Sequence, residues 1–267
     1  EVEAALVEPG SADYKKRLED RAKEQGPSER PGNVCYDDTA PYVEPQRQTP
    51  GTTPSSMRWG ADTLVFESRF ESGNLRKVVQ VGIREYDLTL RSDHESHHIQ
   101  WFYFMVSNVR KCATYVFNIT NFAKPKSLYN QGLRPLMYST QDAETRGVGW
   151  VRSGTRIAYY QRGKAYTLTF SITFPYDCDR CFLAHCYPYT YTDLQVHLQR
   201  LDGDVEMRKI CRRKRLCETI AGNRCDIVTI TSPRKEGDEG VEELARRPAI
   251  VLSARIHPGE SNASWMM

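Results

Sequence analysis

His257 and Glu260 stand three residues apart, with Pro258 and Gly259 between them. An imidazole nitrogen and a carboxylate at that spacing, on a chain bent by Pro and Gly, can turn onto one ion, and zinc accepts such a mixed N/O pair. The same residues also read as a loop histidine beside a glutamate that the positive end of a following helix would favour. Spacing alone does not choose between the two. Cys178 and Cys181 form a C-x-x-C, with His185 and Cys186 close behind. A second C-x-x-C would make a structural zinc site, and the sequence has none. On a strand, His185 and Cys186 would point to opposite faces, so these are expected to be ordinary strand cysteines.

Three other groups invite a chemical reading. The histidine-rich stretch at residues 93–98 could bind metal, but it falls between two strand-like runs, where a polar hairpin loop is expected. Residues 208–215 carry six basic side chains in eight positions. Such a run could dock an acidic tail, nucleic acid or an import receptor, or simply form the solvated face of a helix. A net charge of +3 is too small to imply nucleic acid as a partner. Trp101 and Trp150 are expected in the core rather than as base-stacking platforms.

The elements that would hold these groups fall into three stretches. Residues 1–62 contain half of the 14 prolines and little apolar periodicity, which predicts an irregular or disordered segment. A helix over residues 12–25 is conceivable there, although it would have almost no apolar face. Residues 63–188 carry short runs rich in Val, Ile, Tyr, Phe and Thr, which predict seven or eight strands of an antiparallel β-sandwich. In residues 165–174, Tyr166, Leu168, Phe170, Ile172 and Phe174 alternate with small or hydroxyl residues, so one face should be buried and the other wet or lightly covered. Residues 99–106 are apolar on both faces, as in a central strand. From 189 to 267 the pattern changes to helix and strand alternation. Leu194, His197, Leu198 and Leu201 recur at helical spacing, with Thr190 or Thr192 able to cap. A second short helix is expected around 209–220, a β-run at 226–231 and a charged loop at 232–247. Residues 248–255 then read as a doubly covered strand delivering His257 and Glu260 to its carboxyl end.

Eight cysteines would suggest disulfides only in a secreted chain; Glu1 to Gly10 is acidic and broken by Pro9, unlike a secretory signal. No apolar run approaches the roughly 20 residues of a membrane span. These features predict a cytosolic protein with reduced thiols and no membrane partner. Glu1 at the start and the apolar phrase ending on Met267 read as cuts in a longer chain.

Several phrases, in order, resemble the cytosolic carboxypeptidases. They are Phe66-Glu-Ser-Arg-Phe-Glu-Ser-Gly-Asn-Leu75, Gln100-Trp-Phe-Tyr-Phe104, Phe174-Pro-Tyr-Asp177, Tyr187-Pro-Tyr-Thr-Tyr-Thr192 and Leu252-Ser-Ala-Arg-Ile-His-Pro-Gly-Glu-Ser-Asn262. The resemblance implies a β-sandwich leading into the start of a carboxypeptidase A-like α/β domain. It implies a zinc enzyme that trims glutamates from acidic C-terminal tails such as those of tubulin, cytoplasmic and microtubule-associated. His257 and Glu260 would be two zinc ligands. The family's third ligand, its substrate-binding Arg and its catalytic Glu follow this motif at a distance, so the 267 residues alone are expected to be inactive. The alternative is a non-enzymatic interaction module.

Overall fold

Strand β10 (Ala165–Thr173) shows why the alternating pattern folds as it does. Leu168, Phe170 and Ile172, with Phe174 just beyond the strand, are buried in the core, and Tyr166 packs against it from a half-buried position. Burying such a set on one face fixes the register, because a one-residue slip would expose it. The other face is covered as well: Thr167, Thr169 and Ser171 are buried.

The computed structural model describes residues 11–25, 30, 32–41, 63–232 and 246–267. They fall into two compact units, divided between Pro188 and Tyr189.

In the first unit, β10 belongs to a six-stranded sheet. Its other members are β1 (Asn33–Asp37), β3 (Leu75–Gly82), β4 (Glu85–Leu90), β6 (Thr114–Phe122) and β9 (Thr155–Arg162), in the order β1-β3-β4-β6-β10-β9. The facing five-stranded sheet contains β2 (Val65–Glu67), β5 (Tyr103–Ser107), β7 (Leu136–Ser139), β8 (Val151–Arg152) and β11 (Cys181–Ala184), in the order β2-β5-β11-β7-β8. Two sheets closing on one core make a β-sandwich. The expected antiparallel pairing holds except between β4 and β6, which run parallel. A parallel pair needs a crossover connection. Here the chain leaves β4, builds β5 in the opposite sheet and returns to β6. The histidine-rich residues 93–98 are therefore an inter-sheet connection, not the expected hairpin loop.

The core is aromatic. Phe117 of β6 lies 5.5 Å from Phe170, 6.2 Å from Phe104 and 6.1 Å from Tyr86 between ring centroids, and Phe66 lies 5.2 Å from Tyr86. Offset and edge contacts at these separations suit the ring quadrupoles while burying large apolar areas. Trp101 is in the core and donates its indole N–H to the Ser72 carbonyl at 2.8 Å, whereas Trp150 is only half-buried.

The lead-in is more ordered than its composition suggests. Helix α1 (Ala12–Gln25) forms and seats Tyr14 and Leu18 against Ala158 and Tyr160. β1 adds an edge strand, with a register shift between Val34 and Tyr36. Arg30 and Arg162 flank Asp87, whose carboxylate also accepts from the Asn118 amide at 3.0 Å. Asn118 in turn accepts the Thr169 hydroxyl at 2.7 Å, and Tyr160 meets Thr169 at 3.2 Å. Asp87, Asn118 and Thr169 thus satisfy one another on the outer face of the sheet. Residues 1–10, 26–29, 31 and 42–62 of the expected irregular segment lie outside the described residues.

Helix α2 (Thr140–Arg146) is capped by the Ser139 hydroxyl and ends on Gly147 at φ 66°.

The second unit opens with α3 (Tyr191–Gly203), where the Thr190 side chain and Asp193 form a reciprocal capping box. The expected helix around 209–220 is replaced by a short α4 (Met207–Ile210) and strand β12 (Cys211–Glu218), paired antiparallel with β13 (Arg224–Ile230). The reason is the turn. Gly222 adopts φ 77°, Gly222 N–H donates to Thr219 O at 2.9 Å and Thr219 N–H to Asn223 O at 2.8 Å. A glycine at positive φ folds the chain back into a hairpin instead of letting a helix continue. The charged loop at 232–247 falls almost wholly outside the described residues. Residues 248–255 form no strand, and Ile250, Val251, Leu252 and Ile256 are exposed. Among the described residues no strand pairs with them, and an apolar run becomes a central strand only with neighbours and cover on both faces. The unit ends in α5 (Ser261–Met266).

Candidate functional site

His257 and Glu260 are the two predicted site residues, and the fold brings them together. Nδ1 of His257 lies 3.3 Å from Oε1 of Glu260, with the side chains 72% and 43% exposed, so both donors are open to a solute. The local chain explains the approach. A turn from His257 to Glu260 closes through Glu260 N–H donating to His257 O at 3.1 Å. Arg255, at φ 53°, sends its Nε–H to Pro258 O at 3.1 Å and a guanidinium N–H to Tyr189 O. Burial lowers the Arg255 pKa from its usual value, partly offset by Tyr189. Trp265 of α5 meets the ring of Tyr189 edge-on at 5.0 Å.

Glu260 sits at the N-cap of α5, yet its side chain makes no capping hydrogen bond; only its backbone carbonyl accepts, from Ala263 N–H at 3.0 Å. The carboxylate is turned to His257 instead. Tetrahedral bonds of about 2.0–2.2 Å would place two donor atoms about 3.3–3.6 Å apart. The observed 3.3 Å is a direct imidazole–carboxylate contact, and it also matches the short end of the spacing between two ligands of one zinc ion. The preceding strand is missing, as described above, so the site rests on a turn braced by Arg255 rather than on a strand end. Arg255 is the contributor that spacing could not reveal, because its role depends on a backbone at positive φ.

Among the described residues, no group of three or more His, Cys, Asp or Glu side chains could hold a metal ion. The C-x-x-C residues are otherwise engaged. Cys181 is buried in β11, with its thiol 3.2 Å from Asp179 Oδ2. Cys178 is half-buried and lies 3.8 Å from Arg110 Nη1. His185 lies just beyond β11 in a bend, where Tyr129 takes its Nδ1. In residues 93–98, His94 is 4.0 Å from Glu95, and backbone bonds from Ser96 to Asp93 and from Asp93 to His98 shape the turn.

The basic run lies on α4 and β12 rather than on the expected helix face. Arg213 bonds Asp226 at 2.7 Å, Gln195 at 2.8 Å and Asp202 at 3.1 Å. Lys209 meets Glu206 at 2.6 Å and Arg215 meets Glu218 at 3.3 Å. Half of its six cations are therefore paired within the unit.

Known proteins supply the class. Residues 66–185 match the family model of the cytosolic carboxypeptidase N-terminal domain. The chain is 52% identical over 213 residues to cytosolic carboxypeptidase 2 of Homo sapiens, covering 77% of this chain and 23% of that protein. It is 48% identical over 233 residues to cytosolic carboxypeptidase 1 of Mus musculus, covering 81% of this chain and 19% of that protein. Among solved structures, a metallo-carboxypeptidase from Burkholderia cenocepacia aligns with a TM-score of 0.52 at 22% identity, over 76% of this chain and 46% of that one. That likeness speaks for the fold. The chain belongs to the cytosolic carboxypeptidase family, and it spans about a quarter of the length of the curated relatives it matches. No helix among the described residues is long and apolar enough to cross a membrane.

Proposed function

We propose that these 267 residues are part of a zinc metallocarboxypeptidase that removes C-terminal or side-chain glutamates from acidic protein tails such as tubulin's, in the cytosol. His257 and Glu260 are two of its protein ligands. The observation that carries this reading is the Glu260 carboxylate, which leaves the amides of its own helix and meets the His257 imidazole at 3.3 Å. The sequence around the pair supports it, since identity of about half over most of the chain makes the family assignment specific. Zinc held there would polarise a peptide carbonyl and lower the pKa of a bound water to about 7. His257 would supply a neutral nitrogen and Glu260 a negative oxygen, while Pro258 and Gly259 hold the turn that aims both. The rest of the basic run, outside its internal ion pairs, suits an acidic partner.

The test is His257→Ala in a longer chain that includes the family's later ligands. Bound zinc and glutamate release from a polyglutamylated peptide should both be lost, while the sandwich keeps its thermal transition. A variant that retains zinc and trims glutamate normally would sink the assignment.

A further inference from the structure

We propose that Cys217 and Cys225 are a reversible dithiol–disulfide pair, a redox-sensitive cross-link across the β12–β13 hairpin. The turn dictates the pairing. From the Thr219 to Asn223 hydrogen bond, the ladder steps back through Glu218 opposite Arg224 to Cys217 opposite Cys225, and the register shift lies beyond, between Arg215 and Cys217. Directly opposed residues of an antiparallel pair share a face, and their Cα atoms stand about 4.5–5.5 Å apart. That spacing lies within the roughly 4.4–6.8 Å that a disulfide spans. Each is the other's direct cross-strand partner in the ladder, with no intervening residue in the register.

The other cysteines lack this arrangement. Cys181 faces Val106 and Ser139 across its neighbouring strands, and Cys211 faces Ile230. Cys35 falls at the register shift of β1. Among the described residues, Cys217 and Cys225 are the cysteines opposed on paired strands.

The oxidant is a small disulfide, RS–SR, of the glutathione class. The exposed Cys217, as thiolate, attacks one sulfur and expels RS⁻, which takes up a proton as RSH. Cys225 is half-buried, and its pKa is raised by burial and then by Cys217. Cys217 therefore meets the external oxidant first, and the register holds Cys225 opposite it for the second step. The Cys225 thiolate attacks the Cys217 sulfur of the mixed disulfide and expels the second RS⁻. Overall two protein thiols and RS–SR give one protein disulfide and two RSH, the protein losing two electrons and two protons. In a reducing compartment such a bond is transient, which is the behaviour of a sensor rather than a staple. When formed it ties a two-stranded hairpin, an element of marginal stability by itself.

Trypsin separates the two cysteines, because Arg215, Arg224 and Arg234 place them in peptides 216–224 and 225–234. The folded chain would be equilibrated in glutathione buffers of rising oxidised fraction, acid-quenched, alkylated and digested without reductant. Peptides 216–224 and 225–234 should appear joined in oxidising buffer and separate after reduction. The folded chain should form the link about tenfold more readily than the chain in guanidinium, since the hairpin raises the effective concentration of one thiol at the other. Cys225→Ser should leave a persistent glutathione adduct on Cys217. Equal yields folded and unfolded, both thiols alkylated at every buffer ratio, or linkage of either cysteine to a different partner would overturn the proposal.

Discussion

The Tyr129 hydroxyl sits 2.9 Å from Nδ1 of His185, inside a cage formed with Trp101 and Phe102. Burial, and then the nearby Arg152 charge, push the His185 pKa down to about 4. Burial holds the Tyr129 phenol protonated. The imidazole is therefore neutral in the fold, where its Nδ1 shares a hydrogen bond with the Tyr129 hydroxyl. In the unfolded chain it titrates near 6.5. Between those values the unfolded chain binds a proton that the folded chain does not, so stability is full above about pH 6.5 and falls towards pH 4. The loss is at most about 3 kcal/mol. Urea midpoints at pH 7 and pH 4.5 should fall further apart for the native chain than for His185→Gln. An equal pH dependence in both would count against this account.

The phrase from Phe66 to Leu75 is a stitch between the two sheets. Ser68 Oγ donates to Tyr103 O and accepts Leu75 N–H, both at 3.0 Å. Asn74 donates to Trp101 O at 2.7 Å and accepts Tyr103 N–H at 3.1 Å. Glu67 binds the Ser68 and Arg69 amides and the Arg69 guanidinium. A Cβ on Gly73 would stand 2.1 Å from Ser68 O. Removing the Asn74 amide leaves buried partners unmet, at about 1–3 kcal/mol. Asn74→Ala and Gly73→Ala should each lower the thermal midpoint of the sandwich clearly, whereas Lys126→Ala, on an exposed loop, should not. Unchanged midpoints for both would refute the stitch.

Legibility followed how local the cause was. β10 was readable because Leu168, Phe170 and Ile172 recur on one buried face, a cause contained within the strand's own residues. β1 was hidden, since five residues at a sheet edge take their strand state from β3 rather than from their own composition. α1 has so narrow an apolar stripe that only Ala158 and Tyr160 show what its Tyr14 and Leu18 are for. β12 was misread because six cations look helical in isolation, while the informative signal was Gly222 followed by Asn223, a turn between two strand-like runs. At the candidate site, spacing revealed His257 and Glu260, but not the Arg255 brace.

Asp226 anchors the second unit. Burial raises its pKa, but hydrogen bonds and charge from Arg213 and Arg224 outweigh burial and leave it below the ordinary carboxylate value. A depressed acid contributes stability that is present above its unfolded pKa and is lost as pH falls through its folded one. Asp226→Asn should therefore weaken hydrogen-exchange protection of the β13 amides at pH 7 and erase most of the difference between pH 7 and pH 3. Protection in the variant that still declines with acid as in the native chain would argue against the Arg213–Asp226–Arg224 cluster as the cause.

The 267 residues taken alone should show no carboxypeptidase turnover. Hydrolysis of this class needs three protein ligands with an open position for water, a general base, and a cation to hold the substrate's terminal carboxylate. Here His257 and Glu260 converge, and among the described residues no third donor joins them. Two exposed donors should also hold zinc weakly, so dialysis against a modest chelator should strip it from this chain while leaving the sandwich melting transition in place. Purified chain incubated with a polyglutamylated peptide and added zinc should release no glutamate above the metal-only control. Chelator-sensitive release that tracks the chain through purification, and disappears in His257→Ala, would show that these residues assemble a working site without the later ligands.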